Sequence, residues 1–166
     1  IPNEYFIQQK TIEKKWGKIS FVSTLFYMNY VDQLVLSGEI DQVGQFLKIN
    51  SGNSYRSGIE TMVNAKISNQ FQVQSNFTWS INKNRDFKID QSNEITSLGN
   101  TTISFSPSTI ANLSLLYFPI KNLKLNLSSQ FVSKQYLDNT ENNENLLQGY
   151  SVSDFNLDYQ FNWSRN

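Results

Sequence analysis

The stretch "FQVQSNFTWSI", residues 71–81, sets Phe71, Val73, Phe77, Trp79 and Ile81 against Gln72, Gln74, Asn76, Thr78 and Ser80. Side chains alternate faces along a strand, so a strand here has one greasy, partly aromatic face and one polar face without a charge. In a soluble sheet the apolar face would turn to a core. In an outer-membrane barrel it would turn to lipid, with the polar face towards a lumen. Alternation by itself does not separate the two, so the decision falls to strand length, connections and composition.

The pattern recurs along the chain. "GIETMVNAKIS" sets Ile59, Val63, Ala65 and Ile67 against Glu60, Asn64 and Lys66, and "LKLNLSSQF" sets Leu123, Leu125, Leu127 and Phe131 against Lys124, Asn126, Ser128 and Gln130. "SDFNLDYQFNW" does the same with Phe155, Leu157, Tyr159, Phe161 and Trp163 opposite Asp154, Asn156, Asp158, Gln160 and Asn162. Helical spacing is hard to find, and the chain reads as all-β with about seven strands. These runs often reach about ten residues, the length a tilted strand needs to cross a bilayer, where soluble strands run about five or six. Short turns at Trp16–Lys18, Asn69–Gln70 and Pro119–Asn122 alternate with long links through "SGEIDQVGQ", "KNRDFKIDQSNEITSLGN" and "YLDNTENNENLLQG". That asymmetry matches periplasmic turns and extracellular loops.

Aromatics gather at strand ends. Trp16, Phe71, Tyr117, Phe118 and Trp163 stand beside the short turns, and Tyr30, Tyr55, Trp79, Tyr136 and Tyr150 beside the long links, as two interfacial girdles would. Composition agrees: the 166 residues are 14% aromatic but only 17% charged, below the roughly 25% of soluble domains. With zero net charge, no His and no Cys, the chain offers no basic surface for nucleic acid, no thiol nucleophile and no His-based metal site or general base. No nucleophile motif appears, so the chain is read as no enzyme, and no cofactor or metal is assigned. The first residues, "IPNEYFIQQK", lack the blocks of a signal peptide, which places the start after any targeting segment. The alternative fold is a soluble β-sandwich binding or adhesion module, with the aromatics capping its core.

"DQLVLSGEIDQVG", "SYRSGIE" and "SKQYLDNT" resemble the C-terminal barrel region of TonB-dependent outer-membrane receptors, especially those of the Bacteroidota. The resemblance implies an antiparallel, up-and-down transmembrane β-barrel portion, residues 1–166 supplying about seven strands of a larger, 22-stranded barrel. Plug domain and final strands are then absent from this chain. It also implies a bacterial outer-membrane location and active transport, with external loops capturing a nutrient such as a ferric siderophore and energy relayed by TonB. The partners so implied are outer-membrane lipid, TonB with its inner-membrane energising complex through the missing plug, the small ligand, and a surface lipoprotein if the cargo is a glycan.

The candidate ligand contacts lie in the long links: Arg85, Asp90 and Glu94 in one, and Asp138, Asn139, Glu141 and Asn143 in the other. Carboxylates in "YLDNTENNEN" suit Ca²⁺ in kind, but the loop lacks the Asp-rich, Gly-pivoted spacing of an EF-hand. Arg56, Glu60, Lys66, Asp154 and Asp158 fall on polar faces, where they would pair across strands or line a wet lumen.

Overall fold

A computed structural model describes residues 5–40, 43–50, 52–91 and 94–161. Its strands in chain order are β1 (Tyr5–Trp16), β2 (Ile19–Tyr30), β3 (Leu34–Ile40), β4 (Phe46–Asn50), β5 (Ser54–Lys66), β6 (Phe71–Asn84) and β7 (Phe87–Gln91). There follow β8 (Glu94–Gly99), β9 (Thr109–Ile120), β10 (Leu123–Val132), β11 (Gln135–Tyr136), β12 (Leu146–Leu147) and β13 (Tyr150–Tyr159). Seven of them form one antiparallel sheet in the order β1-β2-β5-β6-β9-β10-β13, a meander without crossover. The others pair inside the long links, β3 with β4, β7 with β8 and β11 with β12. The links expected as loops therefore carry hairpins of their own.

Two short turns show how local chemistry sets the hairpins. Gly17 takes φ +57°, which suits a two-residue connection between Trp16 and Ile19 and would strain any side chain placed there. Lys121–Asn122 joins Ile120 to Leu123 without a left-handed residue, and a register shift between Leu123 and Leu125 accommodates it.

The register fixes a stagger. The hydrogen-bonded row Trp16–Ile19–Ala65–Val73–Leu115–Leu127–Phe155 closes the first hairpin. The second hairpin continues about two residues below this row, to where Ser68 N donates to Phe71 O, and the third about four, to the Ile120–Leu123 pair. Each strand thus slips about one residue against the last. With a rise of about 3.4 Å per residue and a spacing of about 4.8 Å between strands, this slip tilts strands by about 35° from the normal to the line of turns. Barrel strands tilt by about that much. The shortest sheet strands have 10 residues, so at this tilt they rise about 27 Å, close to the hydrocarbon thickness.

The same register sorts the faces. Val63, Ala65, Val73, Phe77, Trp79, Leu123, Leu125, Leu127, Phe155, Leu157 and Tyr159 share one face, and Asn64, Gln72, Gln74, Asn76, Asn126, Ser128, Asn156 and Asp158 the other. No second sheet covers the apolar side among the described residues: Phe77 is 42% exposed, Leu157 59% and Phe155 65%. A sandwich would have sealed them. Hydroxyls that fall on this face bond to each other, Ser153 to Ser129 at 3.0 Å and Ser23 to Thr61 at 3.4 Å. The girdle expectation needs correcting at several positions: Phe118 follows the apolar-facing Tyr117 and so turns to the polar face, and Tyr136 lies in the β11–β12 pair, off the sheet. Tyr30 pairs with Ser54 and Tyr150 with Val132, which places both on the polar face, and Tyr30 Oη donates to Met28 Sδ at 3.3 Å. Trp163 lies outside the described residues.

Candidate ligand-contacting surface

The outer end of the sheet, opposite the short turns, is built on the surplus length of β6. Its partner β9 starts only at Thr109, level with Trp79, which leaves the last residues of β6 with a free edge. The segment after β8 fills it: Asn84 N donates to Thr101 O (2.8 Å), Ile103 N to Asn82 O (3.2 Å), and Ser80 N to Ser108 O (2.8 Å). Ile103 and Phe87 are buried there and supply a small apolar anchor. Arg56 reaches across the polar face from β5 and donates to Ser106 Oγ at 2.9 Å, which ties the segment to the sheet.

The link between β10 and β13 is then stitched onto this segment. Asp138 Oδ1 accepts from Thr140 N (2.8 Å) and Thr140 Oγ1 (2.7 Å), while Oδ2 accepts from Asn145 Nδ2 (2.5 Å). This closes the link on itself as an Asx turn. Asn139 Oδ1 accepts from Ser104 N (2.9 Å) and Asn84 Nδ2 (3.1 Å), all within a buried pocket of amides. Glu141, with φ +57°, accepts at Oε1 from Thr102 N (2.6 Å), Lys83 Nζ (2.9 Å) and Thr102 Oγ1. A left-handed glutamate is strained, and these bonds hold it there. Burial pushes its carboxyl pKa up, but the bonds from Lys83 and Thr102 and the Lys83 charge outweigh that and leave it below the ordinary value.

The proposed contacts accordingly divide. Asp138 and Asn139 are buried and Glu141 half-buried, their oxygens spent on holding two links together. Asn143 stands exposed in a short 3₁₀ turn. Arg85 is exposed but leans over the apolar face, with its guanidinium 5.0 Å from the Tyr55 ring centroid and Nη2 donating to Tyr27 Oη at 3.3 Å. Asp90 and Glu94 belong to the β7–β8 hairpin, and their side chains lie outside the described residues.

Arg56, Glu60, Lys66, Asp154 and Asp158 all fall on the polar face, paired in register with Asn82, Thr78, Gln72, Ser128 and Lys124. Asp158 meets Lys124 Nζ at 3.4 Å. Sequence reasoning missed Lys83, Asn84, Thr102 and Ser106, whose roles depend on contacts between segments far apart in the chain. Chemically, this surface offers amides, hydroxyls and a few separated charges, which suits reversible capture by hydrogen bonds. Among the described residues no three carboxylates gather to hold a metal ion.

Comparison with known proteins gives this geometry a context. Residues 12–166 match the family model for the TonB dependent receptor-like beta-barrel. No curated protein matches the sequence. Among solved structures, the siderophore receptor PiuA from Acinetobacter baumannii superposes with a TM-score of 0.70 at 19% identity, over 94% of this chain and 22% of that one. The ferric yersiniabactin uptake receptor FyuA from Yersinia pestis gives 0.70 at 16% identity, again over 94% and 22%. The copper transporter OprC gives 0.67 at 12% identity, over 93% and 23%. The chain spans about a fifth of the length of these structures.

Proposed function

The chain belongs to the TonB-dependent receptor β-barrel family, a family of outer-membrane transport receptors, and from that premise we propose that it is part of the barrel wall of a nutrient importer. One observation carries this reading: a tilted meander whose apolar face has no second layer over it among the described residues, and whose polar face carries the Arg56–Ser106 and Asn84–Asn139 stitches of the links. In this reading the apolar face meets the lipid of the bacterial outer membrane, the short turns face the periplasm and the long links face outward. Residues 1–166 form part of the C-terminal barrel domain. A plug outside this stretch receives the pull of TonB and its inner-membrane complex.

The cargo is a scarce nutrient of the ferric siderophore kind. Support comes from the names of two similar structures, a siderophore receptor and a ferric yersiniabactin receptor, although a copper transporter shares the fold. The stretches "DQLVLSGEIDQVG" and "SKQYLDNT" support the Bacteroidota type. Exposed Asn143 and the polar face around Glu60, Asp154 and Asp158 are the surfaces left to touch cargo or line its path.

Two measurements test the proposal. A fluorophore at position 77 of the receptor in bilayers should be quenched by brominated acyl chains, and one at position 76 by aqueous iodide; the reverse pattern refutes the assignment of faces. Cells carrying the receptor should take up radiolabelled ferric siderophore only with TonB present, and uptake that survives loss of TonB refutes the energised mechanism.

A further inference from the structure

The segment after β8 reads "SFSPS" at residues 104–108, where it leaves the edge of β6. Ile103 N donates to Asn82 O and Ser80 N to Ser108 O, so a step of two residues on β6 faces a step of five on the segment, and 104–107 loop out. The loop is fastened on both sides of Phe105. Phe105 N donates to Tyr136 O (2.9 Å), Ser104 N to Asn139 Oδ1 (2.9 Å) and Ser106 Oγ to Ser104 O (2.9 Å). Arg56, on the polar face by its register with Asn82, donates to Ser106 Oγ at 2.9 Å and so lays the loop against that face. Pro107 restricts the preceding Ser106 to extended backbone.

Phe105 itself has φ +49°, a left-handed backbone that is an outlier for a bulky side chain. Three other non-glycine residues among the described ones share the sign: Asp32 and Asp86, of a type that tolerates it, and Glu141, whose carboxylate is bonded. A phenyl ring has no polar atom to bond, and burial does not hold it either, since Phe105 is 55% exposed while Ser106 beside it is 8% exposed. Backbone strain that an overdetermined loop maintains beneath an open ring marks a ligand contact. We propose that Phe105 is a specificity-determining residue, a preorganised surface on which a planar aromatic ring of the cargo stacks at the outer end of the polar face. The assignment rests on the importer reading above and deepens it by naming the cargo's chemistry: a ferric chelate whose ligating groups are rings. Two aromatic rings in offset or edge contact gain more than their buried area alone, and a loop already fixed loses little freedom on binding.

The test uses the whole receptor in phosphatidylcholine nanodiscs, titrated calorimetrically with a ferric tris-catecholate, whose ligating groups are rings, and with a ferric tris-hydroxamate that has none. The wild type should bind the catecholate more tightly. Phe105→Gly, which accepts the left-handed backbone and removes the ring, should weaken catecholate binding about tenfold. It should leave hydroxamate binding unchanged and the unfolding midpoint no lower. Phe105→Tyr, which keeps the ring, should keep the catecholate affinity. Unchanged catecholate binding by Phe105→Gly or an equal loss of both chelates overturns the assignment. A lowered midpoint does so too, because the ring is then packed against another part of the receptor. So does a wild type that binds the hydroxamate as well as the catecholate or better, and in each of these cases the importer reading stands. A wild-type receptor that binds neither chelate overturns that reading, and the assignment falls with it.

Discussion

Ile19 and Leu115 sit on one hydrogen-bonded row of the sheet and both face its apolar side, yet the stagger puts them at different depths. Three strand steps separate them, β2 to β5 to β6 to β9. At a spacing of about 4.8 Å and a tilt of about 35°, each step changes depth by about 2.8 Å, so Leu115 lies about 8 Å deeper than Ile19. Ile19 follows directly on the Gly17–Lys18 turn and is at the inner interface, whereas Leu115 is about 14 Å above the Lys121–Asn122 turn and near the mid-plane. An arginine facing lipid costs about 2–4 kcal/mol at the mid-plane and about 0–1 kcal/mol at the interface. Leu115→Arg should therefore destabilise the receptor by about 3 kcal/mol and Ile19→Arg by less than about 1 kcal/mol. Gln74→Arg, next to the same row but on the exposed polar face, should stay within about 0.5 kcal/mol. Denaturant unfolding of the receptor in lipid vesicles, analysed through midpoint and slope, reads these differences. Equal costs at Ile19 and Leu115 would refute the conversion of stagger into membrane depth, and a larger cost at Gln74 would refute the assignment of faces.

Two further outcomes follow from individual contacts. A Cβ on Gly58 would come 2.3 Å from Trp79 O and 2.9 Å from the Phe26 ring, so Gly58→Ala should cost about 1–3 kcal/mol in the same unfolding assay. Phe26→Ala should not rescue it, because the nearer obstacle is backbone; full rescue would contradict the geometry. Glu141 has a lowered pKa in the folded state, so its contribution is complete above the unfolded value of about 4.3 and is lost as pH falls through the folded value. The protection factor of the Thr102 amide, which donates to Glu141, taken relative to the intrinsic exchange rate at each pH, should fall on acidification in the native protein and be insensitive to it in Glu141→Gln. Protection that persists in acid would show that another bond holds the link.

The sheet was legible because its determinants are local. Alternation in "FQVQSNFTWSI" and "SDFNLDYQFNW" assigns faces residue by residue, and Gly17 and the short Asn69 and Lys121 turns leave room only for antiparallel neighbours. The long links were not, since their character depends on encounters across the fold. Asp138 and Asn139 look like solvent-facing ligand residues in "YLDNTENNEN", and only the folded chain brings Ser104 and Asn84 to the Asn139 carbonyl. The placement of Arg85 was equally hidden: it lies in a charged stretch, but the ring of Tyr55, thirty residues earlier, draws it over the apolar side. Nothing in the spacing of β1 announced that Lys10 and Lys14 fall on the apolar face, because its alternation is broken and register with β2 alone decides it.

The stagger also governs how the wall answers to force. A pull along the membrane normal meets strands inclined by about 35°, so roughly four-fifths of it acts along the strands and slightly more than half across them. The larger component slides neighbouring strands past each other and strains every rung of each ladder together. The smaller one would peel rungs singly, and it is concentrated at the inner hairpins, whose tight connections at Gly17 and Lys121–Asn122 are where unzipping would have to begin. The pattern of one-residue slips is thereby a mechanical specification: it makes the sheet stiff along the normal to its line of turns.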